Sequence, residues 1–249
     1  MISIKTAKEI EKMKIAGRIS AMALKLGGEA VKPGITTKKL DKIMYDYIIS
    51  EGAIPSFLGY GGFPATACIS INDTVIHGIP SEDIVVHEGD IVSIDVGAII
   101  NGFHGDNAAT FACGKISEEA QKLMDVTQES LKRGIAAAVI GNRIGDIGAA
   151  VQAYVEENGF SVVTDYVGHG VGHEMHESPE VPNYGKPGRG PRLVAGMTLA
   201  IEPMVNEGKS SVKTLSDKWT VKTCDGSLAA HFEHSIAITP NGPVILTQI

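Results

Sequence analysis

Four acidic residues stand in apolar, strand-like segments of this sequence, where acids are uncommon. They are Asp95, Asp106, Glu202 and Glu233. Burying an unpaired carboxylate costs several kcal/mol, so each one must be paired, protonated or bound to a metal. One such acid is commonly a satisfied structural residue. Four of them, with few buried basic residues to pair them, favour a site for one or two divalent metal ions.

The glycine-rich segment from Gly168 to Glu177 adds three histidines. The helical zinc motif requires two histidines four residues apart around a glutamate, but here His176 follows His173 one residue too soon. His169 and His173 have the right separation, yet the glycines between them disfavour a helix. The pattern therefore favours His169 as a single imidazole ligand among carboxylates. His77 remains ambiguous from its own surroundings.

These residues need a scaffold of helices and strands. Apolar residues at helical spacing predict two helices near 7–26 and 36–52, with Gly27 and Gly28 ending the first. Two more helices are predicted near 117–139 and 144–158. Strand-like runs cover 67–71, 91–99, 108–113, 198–204, 219–223, 231–239 and 243–247. Because both halves of the chain supply acids on strands, the acids could converge where the halves meet.

The two helical pairs also resemble each other. At a constant offset, Tyr47 falls on Tyr154 and Gly52 on Gly159, and apolar positions coincide. Chance similarity between amphipathic helices is the alternative to an internal duplication. A duplication predicts an α+β layered fold, a single catalytic domain 1–249 with halves of about 1–115 and 116–249, a pseudo-twofold axis and a site between the halves.

Composition limits the function classes. The chain has 249 residues, 43% hydrophobic and 20% charged, which excludes a disordered tail, a coiled coil and a collagen-like rod. The net charge of −7 argues against a nucleic-acid module. Three widely spaced cysteines predict buried free thiols in a reducing compartment. With no signal-peptide pattern and no long apolar run, we expect a cytoplasmic protein without a membrane partner.

Taken together, the motifs resemble the type I methionine aminopeptidases of the bacterial kind that has no N-terminal extension. The resemblance covers essentially the whole chain and implies the α+β "pita-bread" fold, with helices packed on a curved antiparallel sheet. Only 25 residues separate His176 from Glu202, which leaves no room for the type II insertion. The motifs that carry it are Ser70-Ile71-Asn72-Asp73, His77-Gly78-Ile79-Pro80, Asp95-Val96-Gly97, Gly102-Phe103-His104-Gly105-Asp106, Gly168-His169-Gly170-Val171-Gly172, His176-Glu177, Ile201-Glu202-Pro203 and Phe232-Glu233-His234-Ser235.

The resemblance implies two divalent metal ions per chain, of cobalt, manganese, iron or zinc. Asp106 and Glu233 are then similar to the bridging ligands, Asp95 to a ligand of one ion, and His169 with Glu202 to ligands of the other. An oxygen-rich set with one imidazole suits hard or borderline ions better than thiolate ligands would. Occupancy by a single ion in the cell stays open.

The implied activity is removal of the N-terminal methionine from nascent proteins and peptides, preferably before a small second residue. A metal-bound hydroxide would attack the scissile carbonyl, with Glu202 as proton shuttle. His176 would stabilise the tetrahedral oxyanion, and His77 would contact the substrate near the scissile nitrogen. The aligned candidates for the methionine pocket are Phe57, Tyr60, Phe63, Cys68, Met175 and Trp219. Phe57, Gly61, Phe63 and Met175 depart from one common bacterial pattern, which leaves the second-residue tolerance open.

The expected partners are chains beginning with methionine, for an enzyme that we predict to be a monomer without a DNA partner. Four lysines between Lys209 and Lys222 suggest a transient contact with the ribosome, although a solvated hairpin is the simpler interpretation. Two rival functions remain: a non-catalytic pita-bread module that binds protein or RNA, and a mononuclear metal hydrolase with another substrate.

Overall fold

A computed structural model describes residues 2–249. Within these residues four α-helices form two pairs of consecutive helices in contact. Their bounds are α1 Ala7–Glu29, α2 Thr37–Ser50, α3 Glu118–Ala137 and α4 Ile144–Glu157, with a short 3-10 turn at Tyr60–Gly62. The side chains of Thr6, Thr36 and Ser117 accept backbone N–H groups at the starts of α1, α2 and α3. Short polar side chains at these positions therefore fix where the helices begin.

The first helix corrects one expectation. It continues through Gly27 and Gly28 and ends at Glu29. A Cβ on Gly28 would lie 2.1 Å from the Phe111 ring, and one on Gly27 would lie 2.8 Å from the Met44 sulfur. The two glycines allow close packing of α1 and do not end it.

The strands are short except for a central antiparallel pair. Their bounds are β1 Ile54–Pro55, β2 Ala67–Ile71, β3 Thr74–Ile76, β4 Ile91–Ile100, β5 Phe103–Ala112, β6 Ser161–Val162, β7 Gly168–Gly170, β8 Glu177–Val181, β9 Thr198–Ile201, β10 Met204–Asn206, β11 Val212–Thr214, β12 Val221–Thr223, β13 Ala229–His231, β14 Glu233–Thr239 and β15 Gly242–Ile245. The predicted 198–204 and 231–239 strands are each interrupted, at Glu202-Pro203 and at Phe232.

The largest sheet in the described residues has nine strands. Its main order is β1-β4-β5-β14-β9-β7-β8, with β2 added beside β4 and β15 beside β14. Two further sheets have three strands each, in the orders β13-β10-β6 and β11-β12-β3. Strands of the two halves thus lie side by side in one sheet, joined where β14 of the second half pairs with β5 of the first, and β9 pairs with the other edge of β14.

Two apolar cores lie between this sheet and the helices. One joins α3 and α4 to the sheet through residues such as Leu123, Ile147 and Leu199, and the other joins α1 and α2 through residues such as Met44 and Ile94. This arrangement of helices on an antiparallel sheet agrees with the predicted α+β class. The internal duplication stays a prediction.

Two of the three cysteines are buried, Cys68 and Cys113, but Cys224 is exposed. The expectation of three buried thiols was wrong for Cys224, which lies in the turn after β12. None of the helices within residues 2–249 combines the length and the apolar character that a membrane span requires.

Candidate metal centre and adjoining apolar pocket

The four acids converge because their strands are neighbours in the sheet. Asp95 on β4 is paired with Ala108 of β5, and Glu233 on β14 is paired with the same alanine from the other side. Asp106 also lies on β5, two residues earlier, so its side chain is on the same face of the sheet. Glu202 directly follows β9, where Pro203 interrupts the strand. A site assembled on paired strands is held rigidly.

His169 completes this cluster from β7. Its Nδ1 atom lies 2.8 Å from the Gly170 carbonyl oxygen, which can only accept a hydrogen bond, so Nδ1 carries the proton. The Nε2 lone pair then faces Glu202 Oε1 at 3.5 Å and Asp106 Oδ2 at 3.6 Å. A cation between these atoms would turn three facing lone pairs into ligands.

Several oxygens in the cluster have no hydrogen-bond partner among the residues that the structure describes. Asp95 Oδ1, Asp106 Oδ1 and Glu233 Oε1 are buried without a hydrogen bond to any described residue. Ligand atoms of Asp106, His169 and Glu233 lie within 4.8 Å of one another, close enough to share one ion. Buried polar atoms are normally satisfied, so these oxygens fit a metal site.

The electrostatics of the protein without metal agree. Burial raises the pKa of Asp95 to about 7. Burial, followed by the neighbouring carboxylates, also raises the pKa values of Asp106, Glu202 and Glu233. Burial lowers the pKa of His169 to about 3, which keeps its imidazole neutral. The cluster is therefore short of positive charge, and metal ions would supply it.

The predicted pocket residues also come together, in a separate apolar cluster beside the acids. Phe57, Phe63, Cys68 and Met175 are buried in it, and the Trp219 ring meets Phe63 edge-on at 5.2 Å. Tyr60 lies at the mouth and remains 44% exposed. Together with the acids these residues line a cavity of about 140 Å³. Burial raises the pKa of the Cys68 thiol well above its usual range, so Cys68 is an uncharged part of the wall.

His77 and His176 line the same cavity as the acids and the pocket residues. His77 has φ +58, a left-handed conformation that is uncommon for a residue with a side chain, and its ring is edge-on to Tyr166 and Trp219. The His176 ring lies 4.1 Å from that of His169 and hydrogen bonds through Nδ1 to the Tyr60 hydroxyl at 2.8 Å. Every residue predicted for the site therefore borders the same cavity.

Sequence reasoning missed two residues near this site. His231 is 2% exposed, and its Nε2 atom lies 3.7 Å from Glu202 Oε2 without a hydrogen bond to any residue from 2 to 249. Its position two residues before Glu233 in an extended segment was an available signal, since alternate residues share a face. Tyr166, whose ring packs on His77, had no comparable signal because it lies between short strands.

Comparison with known proteins gives a consistent result. The model of metallopeptidase family M24 matches residues 11–240. A methionine aminopeptidase of Clostridium acetobutylicum is 61% identical over 99% of both chains, and methionine aminopeptidase 1 of Bacillus subtilis is 53% identical over the full length of both. The chain belongs to the methionine aminopeptidases of family M24.

Solved structures extend the comparison to the fold. The crystal structure of a methionine aminopeptidase from Thermotoga maritima superposes with a TM-score of 0.99 at 48% identity, covering all of both chains. A prolidase from Pyrococcus furiosus matches 99% of this chain and 65% of its own, with a TM-score of 0.80 at 26% identity. These matches confirm the predicted pita-bread fold. They also confirm the prediction of a metal-dependent aminopeptidase that removes an N-terminal methionine.

Proposed function

We propose that this aminopeptidase holds two divalent ions through Asp95, Asp106, His169, Glu202 and Glu233, and acts on chains whose second residue is small. The observation that carries the proposal is the unprotonated Nε2 of His169, which faces the Asp106 and Glu202 carboxylates beside an apolar cavity, in a cluster where three buried carboxylate oxygens have no hydrogen-bond partner within residues 2–249. Four carboxylates match the charge of two divalent ions. When bound, such ions polarise a carbonyl and activate water.

The residues around the cavity divide the remaining work. The slot of Phe57, Phe63, Cys68, Met175 and Trp219 accepts the unbranched methionine side chain, and Tyr60 borders its mouth. The sulfur of a thioether is polarizable and packs well against aromatic rings. The substrate's scissile carbonyl would then lie near the acids, within reach of His77 and His176.

Glu202 transfers the proton, and the two histidines form hydrogen bonds or contacts with the substrate. Burial keeps the pKa of Glu202 high, so its carboxylate can take a proton from water and return it to the leaving amine. If the Tyr60 hydroxyl donates to Nδ1 of His176, the ring keeps its proton on Nε2. That N–H can donate to the oxyanion as it develops. His77 contacts the substrate near the scissile nitrogen.

The test is release of methionine from Met-Ala-Ser by metal-stripped protein titrated with manganese, iron, cobalt or zinc. We expect activity to return with metal, to be absent on the N-acetylated peptide, and to be lost in Asp106→Ala. Calorimetry should count two sites. Full activity with one equivalent bound would contradict the two-ion proposal, and equal rates on Met-Ala-Ser and Met-Leu-Ser would contradict the second-residue preference.

We also propose a cytoplasmic monomer that meets emerging chains by a transient ribosome contact. Lys209, Lys213 and Lys218 are exposed around the β11–β12 hairpin, whereas Lys222 is paired with Asp73 at 2.9 Å. Replacing the three exposed lysines by glutamate should abolish co-sedimentation with ribosomes at low salt. Unchanged co-sedimentation would leave the hairpin as a solvated surface.

A further inference from the structure

A buried ion pair joins the start of the chain to the loop that carries His176. The Lys5 side chain is 2% exposed and the Glu177 side chain 13% exposed, and the Lys5 ammonium donates a hydrogen bond to Glu177 Oε2. Burying two charges carries a large desolvation cost, so such a pair is weak evidence for stability alone. Neither residue lines the catalytic cavity. The site described above gives the pair no role.

Glu177 organises the loop that precedes it. Its Oε1 accepts the backbone N–H groups of His173 at 2.8 Å and Glu174 at 3.2 Å. Burial would raise the pKa of Glu177, but hydrogen bonds from Lys5 and the backbone outweigh it and hold that pKa below its usual range. The charged carboxylate therefore closes a tight turn from Gly172 to Glu177.

Lys5 is itself held in place on the opposite side. Its backbone N–H donates to the Gly196 carbonyl at 2.7 Å. A Cβ on Gly172 would lie 2.3 Å from Lys5 Cε, so the lysine stem packs directly on the loop backbone. The Gly172 carbonyl in turn accepts the N–H of His104 on β5. The loop is thus fixed between the N-terminal segment and the sheet that carries Asp106.

His176 is the residue of this loop that faces the reaction. It lies immediately before Glu177, and its ring reaches both His169 and the Tyr60 hydroxyl. We propose that the Lys5–Glu177 ion pair is a positioning device for His176, holding its imidazole where the oxyanion develops. This inference rests on the catalytic role proposed for His176. Lys5 and Glu177 are positioning residues, since they touch no substrate atom.

The decisive experiment is a double-mutant cycle on kcat for Met-Ala-Ser in the metal-loaded enzyme. Lys5→Met should lower kcat by about tenfold or more with KM and metal affinity little changed, because small misplacements of catalytic groups are costly. In a His176→Ala background the same Lys5→Met change should alter kcat by less than about twofold. Lys14→Met is the matched control, because Lys14 forms an exposed pair with Glu11 on α1.

Lys5→Met alone leaves the charge of Glu177 buried without its partner, and that charge would itself lower kcat if it disturbed the loop. A second variant tests this alternative. In Lys5→Met/Glu177→Gln no charge is buried, and the amide oxygen can still accept the two loop N–H groups. We expect this double variant to recover part of the lost kcat. An equal kcat loss from Lys5→Met in both backgrounds, or wild-type kcat in Lys5→Met, would overturn the inference. Wild-type kcat in His176→Ala would overturn the role of His176 and this inference with it.

Discussion

The proposed metal centre and the apolar pocket line one cavity but are built on opposite physical principles. The centre consists of acids on or next to paired strands, and several of its buried oxygens have no hydrogen-bond partner in the part of the chain that the structure describes. The pocket consists of uncharged side chains, largely from loops, that satisfy one another by contact. The centre is therefore destabilising until a cation occupies it, whereas the pocket stabilises the fold by itself.

This difference predicts how each region responds to substitution. Changes in the centre should remove chemistry and metal while relieving charge repulsion. Changes in the pocket should alter substrate recognition and packing while leaving the metal in place. Substitutions in each region should therefore distinguish the contribution of the centre from that of the pocket.

Loss of a shared carboxylate should have the largest effect. Glu233→Ala removes a group that faces both Asp106 and His169, so we expect kcat/KM to fall by about a thousandfold or more. Metal titration by calorimetry should show one site lost or both weakened. Phe63→Leu in the pocket is the control and should bind metal normally. Glu233→Ala with two wild-type sites would contradict the assignment of Glu233.

Asp95 should make the metal-free protein less stable as pH rises, which is the opposite of the usual effect of an acidic residue that is paired in the folded state. Burial raises the pKa of Asp95 from 3.8 to about 7, so in metal-free protein its stabilising, protonated form is fully present below pH 3.8 and is lost as pH rises through 7. Between pH 5 and pH 7 this group should cost the wild type about 2 kcal/mol relative to Asp95→Asn.

Urea unfolding of metal-free wild type and Asp95→Asn at several pH values measures that difference. Burial also lowers the pKa values of His169 and His231 to about 3, and their contribution is lost as pH falls below the ordinary histidine value of 6.5. Both proteins keep these histidines, so the comparison cancels their effect. A constant difference from pH 5 to pH 7 would show that Asp95 is already ionised in the folded protein.

The same contrast explains what the sequence could predict. Asp95, Asp106, Glu202 and Glu233 were found because an acid in an apolar strand contradicts its surroundings, and that conflict is visible in one dimension. The pocket residues look like ordinary core, and only the family resemblance selected them. Their shared cavity depends on how loops fold over the sheet, which no local pattern encodes.

Other parts of the molecule could not be predicted for identifiable reasons. Gly27 and Gly28 were expected to end α1 because glycine is a poor helix former, but contacts with Met44 and Phe111 outweigh that preference. The pairing of Lys5 with Glu177 joins residues 172 positions apart, and local spacing carries no information about it. The position of His231 two residues before Glu233 was visible in the sequence, but its approach to Glu202 depends on how the strands fold together.

The smallest expected effect comes from enlarging the pocket. Met175 is 2% exposed and packs among the pocket residues, so Met175→Ala should raise KM for Met-Ala-Ser by about tenfold, the value of roughly 1.4 kcal/mol of lost contact. The manganese affinity should stay near wild type, since Asp95, Asp106 and Glu233 lie on strands and Glu202 directly follows one, whereas Met175 lies in a loop. The turnover number should change little, because Glu177 and Lys5 continue to hold that loop. Discrimination between Met-Ala-Ser and Phe-Ala-Ser should also fall, because the larger cavity admits an aromatic ring.

Met175→Leu preserves the volume and is the matched control, with wild-type discrimination expected. If Met175→Ala instead weakened manganese binding as strongly as it raised KM, the pocket and the metal centre would be one mechanical unit, and the contrast between them would fail.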